Sequence, residues 1–244
     1  MIGYDIINKP SKTFIVTDNW DRIPKDVDVY VITVPTLWDE KIKSPDLSAL
    51  HDACSKISRS NKDALVSIES TVPVGTCRNV AKMYGLKYVV HVPHRYWAGD
   101  PVKYGVRQLR VFGALNEESK RIGLDFYKKL DIPLHVCSSI EIAEMCKIVE
   151  NAYRFVQIAF VEEVKMICDA LGLNFSEVRE ACNTKWNVQL LEARNGIGGE
   201  CLPKDIRYLI RHAEDSLKHC PLLKGAVRTD ELFKDYIRRR SKDK

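Results

Sequence analysis

Residues 27–36 read VDVYVITVPT and carry the clearest strand signal in the chain. β-branched side chains dominate the first eight positions and Pro35 ends the run, which together predict a strand within a sheet. Shorter strand-like runs recur on both sides of it and alternate with helical patterns. Strands that alternate with helices pair in parallel through crossover connections, so the pattern predicts a doubly wound α/β sheet.

The rest of the first half follows this alternation. One predicted helix covers residues 44–60, with Ser44 as N-cap, because Pro45 suits the first helical position and Asp46 the first turn. The other predicted helices are 76–84 and 117–130, and the other predicted strands are 2–7, 14–17, 64–68, 87–92, 109–112 and 134–137.

The second half is predicted to be all-helical. Residues 140–171 contain neither glycine nor proline, and a capping box of Ser138 with Glu141 predicts where this helix begins. A helix of that length spans about 48 Å, which is typical of a link between two domains or of a dimer interface. Further helices are expected at 174–182, 205–213 and 221–240.

Composition is that of an ordinary globular protein. Of the 244 residues, 45% are hydrophobic and 29% are charged, and the net charge is +5. We find neither a signal peptide nor an apolar run of membrane-spanning length, so we expect a cytoplasmic protein without membrane association. Much of the positive charge lies in residues 238–244, which lack interleaved aromatic residues and therefore favour a solvated tail over a nucleic-acid contact.

The cysteine and histidine patterns predict no metal site. The eight cysteines are scattered without a C-x-x-C pair, so neither a zinc site of the usual spacing nor a disulfide framework is expected. His91 and His94 could form a pair of ligands, but no carboxylate in the pattern completes the set.

Chemically active groups concentrate in residues 196–205, which read GIGGECLPKD. Glycines allow sharp turns and close backbone approach, and the thiol of Cys201 could be a nucleophile. Lys204 and Asp205 add one charge of each sign. A plain glycine turn followed by a buried cysteine and a helix start at Asp205 would give the same pattern.

Polar residues on the long helix form a second group. Glu144, Lys147 and Asn151 are spaced three and four residues apart, so they share one helix face. A lysine beside an asparagine suits the stabilisation of a developing oxyanion. A solvated face of salt bridges has the same spacing.

Strand ends supply a third group. Residues 70–76 read STVPVGT, follow a predicted strand and open a helix, so their hydroxyls could face a ligand and their amides could hold an anion. An ordinary turn capped by Thr76 is the alternative. Thr36 ends its strand at the same edge, and Asp5 ends another, where an acid can accept hydrogen bonds from a ribose.

Together these segments resemble the UDP-glucose/GDP-mannose dehydrogenase family. The resemblance lies in residues 3–6, 31–36 and 69–76, in the E-x-x-K-x-x-x-N pattern of 144–151, and in the G-G-x-C-x-x-K-D pattern of 198–205. It implies an incomplete Rossmann-like NAD-binding domain, residues 1–138, that lacks its first strand and G-x-G-x-x-G turn. An all-helical central domain, residues 139–244, would carry the Cys201 loop, and the family's C-terminal nucleotide-sugar-binding domain would be absent.

The resemblance also implies an activity, the oxidation of a nucleotide-sugar C6 alcohol to the uronic acid with NAD, as in polysaccharide biosynthesis. By position, Cys201 would form a thiohemiacetal and then a thioester, with the oxyanion stabilised by Lys147 and Asn151. Proton transfer and hydrolysis would fall to Asp205 and Thr71.

On the cofactor side, the resemblance implies that Asp5 binds the adenosine ribose. Four residues would lie along NAD: Thr36, Ser70, Thr71 and Lys204. The alternative is a catalytically inactive, truncated homologue that acts as a dimerisation or partner-binding scaffold. In both cases we expect a homodimer formed through the 140–171 helix.

Overall fold

A computed structural model of the chain describes residues 1–7, 11–97 and 99–242. The last two residues of the basic tail, 243 and 244, lie outside the described residues. The chain divides into two compact units. The sheet unit comprises residues 1–36 and 45–146, and the helical unit comprises residues 37–44 and 147–244.

Strands and helices follow one another along the described residues. The strands are β1 Ile2–Tyr4, β2 Ile15–Thr17, β3 Val29–Ile32, β4 Leu37–Asp39, β5 Ser44–Asp46, β6 Leu65–Ile68, β7 Tyr88–His91, β8 Arg110–Ala114 and β9 Leu134–Val136. The α-helices are α1 Ser48–Asn61, α2 Thr76–Tyr84, α3 Glu117–Lys129, α4 Ile140–Ala170, α5 Phe175–Asn183, α6 Cys201–Leu217 and α7 Pro221–Lys242. A single 3₁₀ turn covers Trp20–Arg22.

The main sheet has five strands in the order β3-β6-β7-β8-β9. β3, β6 and β7 pair in parallel, as predicted. β8 is antiparallel to β7 and parallel to β9, which the sequence pattern did not predict. A parallel pair needs a crossover connection that is usually a helix, and the described part of the 92–109 connection between β7 and β8 contains none.

Helices cover both faces of this sheet, as a doubly wound arrangement requires. Successive residues of a strand point to opposite faces. Val66 and Ile68 therefore pack in the core beneath α1 and α2, whereas Leu65 packs with Phe112 and Tyr127 on the α3 face.

β1 and β2 form a separate two-stranded parallel sheet. A cleft of about 840 Å³ is lined by residues of both β1 and β3. No strand of the described residues joins the two sheets. In the described residues, the β1-β2 pair and the main sheet thus form two sheets rather than one continuous sheet.

Two predicted helix starts are wrong. Residues 44–46 form β5, which pairs with β4, and α1 begins at Ser48. Pro45 is compatible with the extended backbone of a short strand. Asp46 precedes the helix, and its carboxylate accepts a hydrogen bond at 2.9 Å from the N–H of Ser48, the first helical residue. α6 begins at Cys201, four residues before the predicted start, since Pro203 in a first helical turn lacks only an N–H that needs no intrahelical partner.

The long helix α4 is confirmed at 31 residues. Its capping contact comes from Ser139, whose Oγ accepts a hydrogen bond from the Ile142 N–H at 3.3 Å, and not from the predicted Ser138. Among the described residues, none of the helices is both long enough and apolar enough to cross a lipid bilayer.

The core of the helical unit lies where α4, α6 and α7 meet. Ala152, Phe155 and Ala159 of α4 pack against Ile206 and Ala226. The hairpin segment 37–44 joins this unit through α6. The Tyr208 hydroxyl donates a hydrogen bond to the Leu37 carbonyl at 2.9 Å, and the Tyr208 ring lies 6.1 Å from the Trp38 ring.

Candidate active site

Cys201 is the first residue of α6 and is exposed. The loop before it turns at Gly196 and Gly199, whose φ angles of +86° and +74° lie in the region that favours glycine. A helix N-terminus stabilises negative charge, and a thiolate carries that charge. The local structure therefore suits a nucleophilic thiol at this position.

Asp205 lies one turn further along α6 and is fully buried. Its Oδ2 accepts a hydrogen bond from the Asn151 side-chain amide, and its Oδ1 lies 2.7 Å from the Lys204 ammonium. Lys204 is itself 8% exposed and lies 4.5 Å above the Tyr208 ring. The structure thus brings together three predicted site residues, Asn151, Lys204 and Asp205. The positive charge of Lys204 compensates the negative charge of Asp205 in this buried place.

Lys147 precedes Asn151 by four residues on α4 and is half-buried. That spacing places the two side chains on one helix face. The Asn151 amide carries two N–H donors, of which one is given to Asp205. The shared face thus carries an amide and an ammonium, the two kinds of donor that suit a developing oxyanion.

Glu144 has a structural task in the sheet unit. Its carboxylate is fully buried and accepts hydrogen bonds from the N–H groups of Gly75, at 2.6 Å, and Cys77, at 2.7 Å. Burial raises the pKa of Glu144, and the two N–H bonds oppose that rise. The amides at the start of α2, which the sequence suggested as an anion site, thus hold the chain's own carboxylate.

Hydroxyls at the ends of β3 and β6 interlock at one edge of the sheet. Ser70 Oγ donates to the Val34 carbonyl and Thr36 Oγ1 donates to the Thr71 carbonyl, each at 2.6 Å. The predicted residues Thr36, Ser70 and Thr71 are therefore neighbours. Asp5 follows β1 in the separate two-stranded sheet, where its carboxylate accepts from the Ile7 N–H at 3.0 Å and lines the cleft.

Comparison with protein families identifies both parts of the chain. Residues 6–131 match the NAD binding domain of the UDP-glucose/GDP-mannose dehydrogenase family, and residues 141–231 match the central domain of the same family. The chain belongs to this family. The predicted resemblance is therefore confirmed.

Two curated relatives illustrate the match. The chain is 29% identical to an NDP-N-acetyl-D-galactosaminuronic acid dehydrogenase of Ralstonia nicotianae, over 88% of this chain and 54% of that protein. It is 32% identical to a UDP-N-acetyl-D-mannosamine dehydrogenase of Pyrococcus horikoshii, over 82% of this chain and 50% of that protein. The chain spans about half the length of the curated relatives it matches.

Solved structures show the same fold. The UDP-D-ManNAc dehydrogenase of Pyrococcus horikoshii matches with a TM-score of 0.80 and 29% identity, over 90% of this chain and 54% of that one. A UDP-glucose dehydrogenase of Pyrobaculum islandicum matches with a TM-score of 0.76 and 27% identity, over the same shares. The predicted Rossmann-like fold followed by helices is confirmed.

The described residues fit one part of NAD, the cofactor of the matched domain. Asp5 lines the cleft and can accept hydrogen bonds from ribose hydroxyls. Thr36 and Ser70 lie at the sheet edge, where their hydroxyl protons are given to backbone carbonyls. A pyrophosphate needs several backbone N–H donors at a helix start. At the start of α2, the N–H groups of Gly75 and Cys77 are bound to Glu144, so these two donors do not serve a pyrophosphate.

Sequence reasoning missed a buried network behind the sheet edge. Glu69 accepts from the Arg110 guanidinium at 3.0 Å and from the Tyr127 hydroxyl at 2.7 Å, and that hydroxyl lies 2.7 Å from the Ser67 hydroxyl. Burial raises the pKa of Tyr127. An arginine in an apolar strand segment, RVFGA at 110–114, was the available signal.

A second omission concerns the loop before Cys201. Asp230 and Lys234 of α7 contact Ile197 in that loop. Their four-residue spacing on a helix was visible in the sequence, but it did not reveal that their target lies 33 and 37 residues earlier.

Proposed function

We propose that the chain takes part in the oxidation of a nucleotide-sugar C6 alcohol to the uronic acid. It would supply the catalytic nucleophile, Cys201, and residues that bind NAD. The observation that carries the proposal is the exposed thiol at the start of α6, beside a buried Asp205 held by Asn151 and Lys204. Such a thiol can hold an aldehyde carbon covalently between two oxidations.

NAD, when bound, accepts the hydride released in each oxidation. The Cys201 thiolate adds to the aldehyde carbon, and the new C–S bond turns the carbonyl oxygen into an oxyanion. The Lys147 ammonium and the second N–H of Asn151 stabilise that charge, an effect that can be worth several kcal/mol. After the second oxidation, water attacks the thioester, the C–S bond breaks and the thiolate is regenerated.

Asp205 and Thr71 are proposed for the proton transfers of the hydrolytic step. The water that attacks the thioester must lose a proton, which a carboxylate can accept. On the cofactor side we propose Asp5 for the adenosine ribose and Thr36, Ser70, Thr71 and Lys204 along NAD. We propose residues 1–138 as the NAD-binding domain, residues 139–244 as the helical domain, and the cytoplasm as the compartment.

The test is NADH formation by the full chain with UDP-glucose, GDP-mannose, UDP-N-acetylmannosamine and UDP-N-acetylgalactosamine. We expect two NADH for each sugar oxidised, and none above background for Cys201→Ala. Cys182→Ala, which removes another exposed thiol of the same unit, should keep full activity. Absence of turnover above Cys201→Ala with every sugar would sink the proposal.

An inactive scaffold is the second candidate. The observation that favours it is the split between the β1-β2 sheet and the main sheet, which no described strand bridges. A scaffold of this kind needs no cofactor. Isothermal calorimetry that detects NAD binding in the micromolar range would count against it.

We also propose a homodimer formed through the long helix. α4 and the residue after it expose apolar side chains spaced four and seven residues apart, a repeat that keeps them on one face. They are Val149, Tyr153, Phe160, Ile167 and Leu171. Phe160→Glu should convert a dimer into a monomer in sedimentation velocity. Leu222→Glu, at an exposed leucine of α7, should not, and a monomeric wild type would refute the dimer.

A further inference from the structure

The backbone of Ile197 is held at both of its polar groups by one acid–base pair of α7. Asp230 Oδ1 accepts a hydrogen bond from the Ile197 N–H at 2.7 Å. Lys234 Nζ donates to the Ile197 carbonyl at 2.7 Å and to Asp230 Oδ2 at 2.7 Å. The three residues thus close a ring of hydrogen bonds around a single peptide position.

Burial indicates that this ring of hydrogen bonds is a specific feature of the fold and not a chance surface contact. Asp230 is 5% exposed, and a carboxylate is retained in such a place only when charged and hydrogen-bonding partners satisfy it. The Ile197 side chain is 3% exposed and packs with Phe155 and Ile206. Position 197 is therefore fixed through its backbone and its side chain together.

Gly196 makes room for the lysine. A Cβ at this residue would lie 2.6 Å from Cγ and Cε of Lys234, so a side chain here would force the lysine chain to shift from its present path. Beyond the ring the loop is uncrowded, since a Cβ at Gly198 or Gly199 would meet nothing within 4 Å. Ile197 is thus the anchor from which the short segment to Cys201 extends.

We propose that Asp230 and Lys234 are positioning residues for the Cys201 loop. They fix the peptide of Ile197 and thereby the place at which the thiol enters the first turn of α6. Neither side chain needs to touch a substrate. The proposal rests on the proposed function for the role of Cys201, but it concerns the geometry of this loop alone.

A purely structural pair would also stabilise α7, so a matched control is needed. Lys165 and Asp169 on α4 have the same four-residue spacing and a 2.7 Å contact. The Lys165 side chain is 31% exposed and the Lys234 side chain 32%. Lys165→Met therefore removes a lysine–aspartate pair of the same spacing and exposure from the same unit without touching the loop, although Asp169 keeps its contacts with Tyr236 and Arg240.

The experiment measures two properties that do not depend on turnover. Site-resolved alkylation by iodoacetamide at pH 7 gives the rate at Cys201 relative to the exposed Cys182. Hydrogen exchange gives the protection of the Ile197 amide. We expect Lys234→Met and Asp230→Ala to slow Cys201 alkylation relative to Cys182 by about fivefold, because the first turn of α6 is then less firmly held and stabilises the thiolate less. Asp230→Ala removes the acceptor of the Ile197 N–H and should abolish its protection, whereas Lys234→Met should lower that protection.

Milder variants keep the test decisive if a truncation fails to fold. Asp230→Asn retains an acceptor for the Ile197 N–H, and Lys234→Gln retains a donor for the Ile197 carbonyl, so each should change the two readouts less than the truncation does. Lys165→Met should leave both within twofold of wild type.

A lowered melting temperature with unchanged Cys201 alkylation and unchanged Ile197 protection would overturn the proposal. If wild-type chain oxidises a nucleotide sugar, kcat should fall in Lys234→Met while KM for NAD stays constant. If it does not, the alkylation and exchange results still decide the positioning role, so the two failures remain distinguishable.

Discussion

The two units hold their candidate functional residues in different ways. In the helical unit, polar side chains from α4, α6 and α7 meet in buried contacts, with Asn151 on Asp205 and the Asp230–Lys234 pair on Ile197. In the sheet unit, the hydroxyls that we propose to lie along NAD bond to nearby backbone at strand ends, and Asp5 lines an open cleft.

Because of this difference, we expect substitutions in the two units to affect different properties, namely folding stability and ligand affinity. Where side chains hold one another in a buried place, removing one leaves its partner unsatisfied, so the folded state loses free energy. Where a side chain lies at an open sheet edge, its removal changes ligand affinity and leaves the fold intact. Substitutions should therefore act on stability in the helical unit and on cofactor binding at Asp5 in the cleft.

The largest effect is expected at a buried ion pair of the sheet unit, where the contacts resemble those of the helical unit. Arg110 is 1% exposed and pairs with Glu69. Arg110→Met should lower the free energy of unfolding by about 3 to 5 kcal/mol, because Glu69 keeps a buried charge without its cation. Urea unfolding followed by tryptophan fluorescence measures the loss. Arg121→Met, in the exposed pair with Glu118, should cost less than about 1 kcal/mol, and equal losses would contradict the prediction.

A pH-dependent effect is expected at Glu162, which is fully buried on α4 and whose two carboxylate oxygens have no hydrogen-bond partner among the described residues. Burial, followed by the charge of Asp230, raises the pKa of Glu162 to about 7, and Lys234 opposes the rise. Between pH 4.5 and 7 the folded state then binds more protons than the unfolded state, so stability falls as pH rises through that window.

Glu162→Gln should remove this pH dependence. The variant is expected to be more stable than wild type by up to about 3 kcal/mol at pH 8 and equal to it near pH 4.5. Urea unfolding at both pH values measures the difference. Glu163→Gln changes an exposed neighbour and should have no such effect. A gain of the same size at both pH values would show that ionisation of Glu162 is not the cause.

A smaller effect is expected for Asn151→Ala. The variant leaves the buried Asp205 without its amide donor, so the free energy of unfolding should fall by about 2 kcal/mol. Arg154→Ala, on the exposed side of the same helix, should change it by less than about 0.5 kcal/mol. Chemical unfolding compares the two, and a neutral Asn151→Ala would show that the contact adds nothing to the fold.

The smallest effect on stability is expected at the open edge. Asp5→Asn should leave the free energy of unfolding within about 0.5 kcal/mol of wild type and weaken NAD binding by about tenfold, since a charged acceptor for ribose hydroxyls is lost. Calorimetric titration with NAD measures the second effect. Asp18→Asn, at an exposed carboxylate after β2, is the control. A loss of stability without a loss of affinity would break the comparison between the units.

Most of the fold could be predicted because its signals are local. The β-branched run at 27–34 contains β3, and the span without glycine or proline contains α4. The helix start predicted at Ser44 was wrong because a serine–proline–aspartate sequence suits a strand end and a helix start equally. The antiparallel pairing of β8 with β7 was not predicted. The direction of β8 depends on the long connection 92–109, whose sequence has no hydrophobic periodicity that would indicate it.

The candidate site could be predicted only in its residue types. Motif spacing singled out Cys201, Asn151 and Asp205, and two of these are in direct contact. The partners of Glu144 and Ile197 were not predictable, because these contacts join residues that are far apart in sequence and leave no mark on local periodicity. Spacing placed Glu144 on a face with Lys147, whereas its carboxylate caps α2.

Gly196 and Lys234 share one volume, since the methylenes of the lysine occupy the space that a side chain at 196 would need. A side chain at position 196 would meet two separate obstacles, the φ angle of +86° and the methylenes of Lys234. Shortening the lysine would remove only the second obstacle. The dependence between the two positions therefore runs in one direction: the lysine can be exchanged while the glycine stays, but the glycine is not freed by the loss of the lysine.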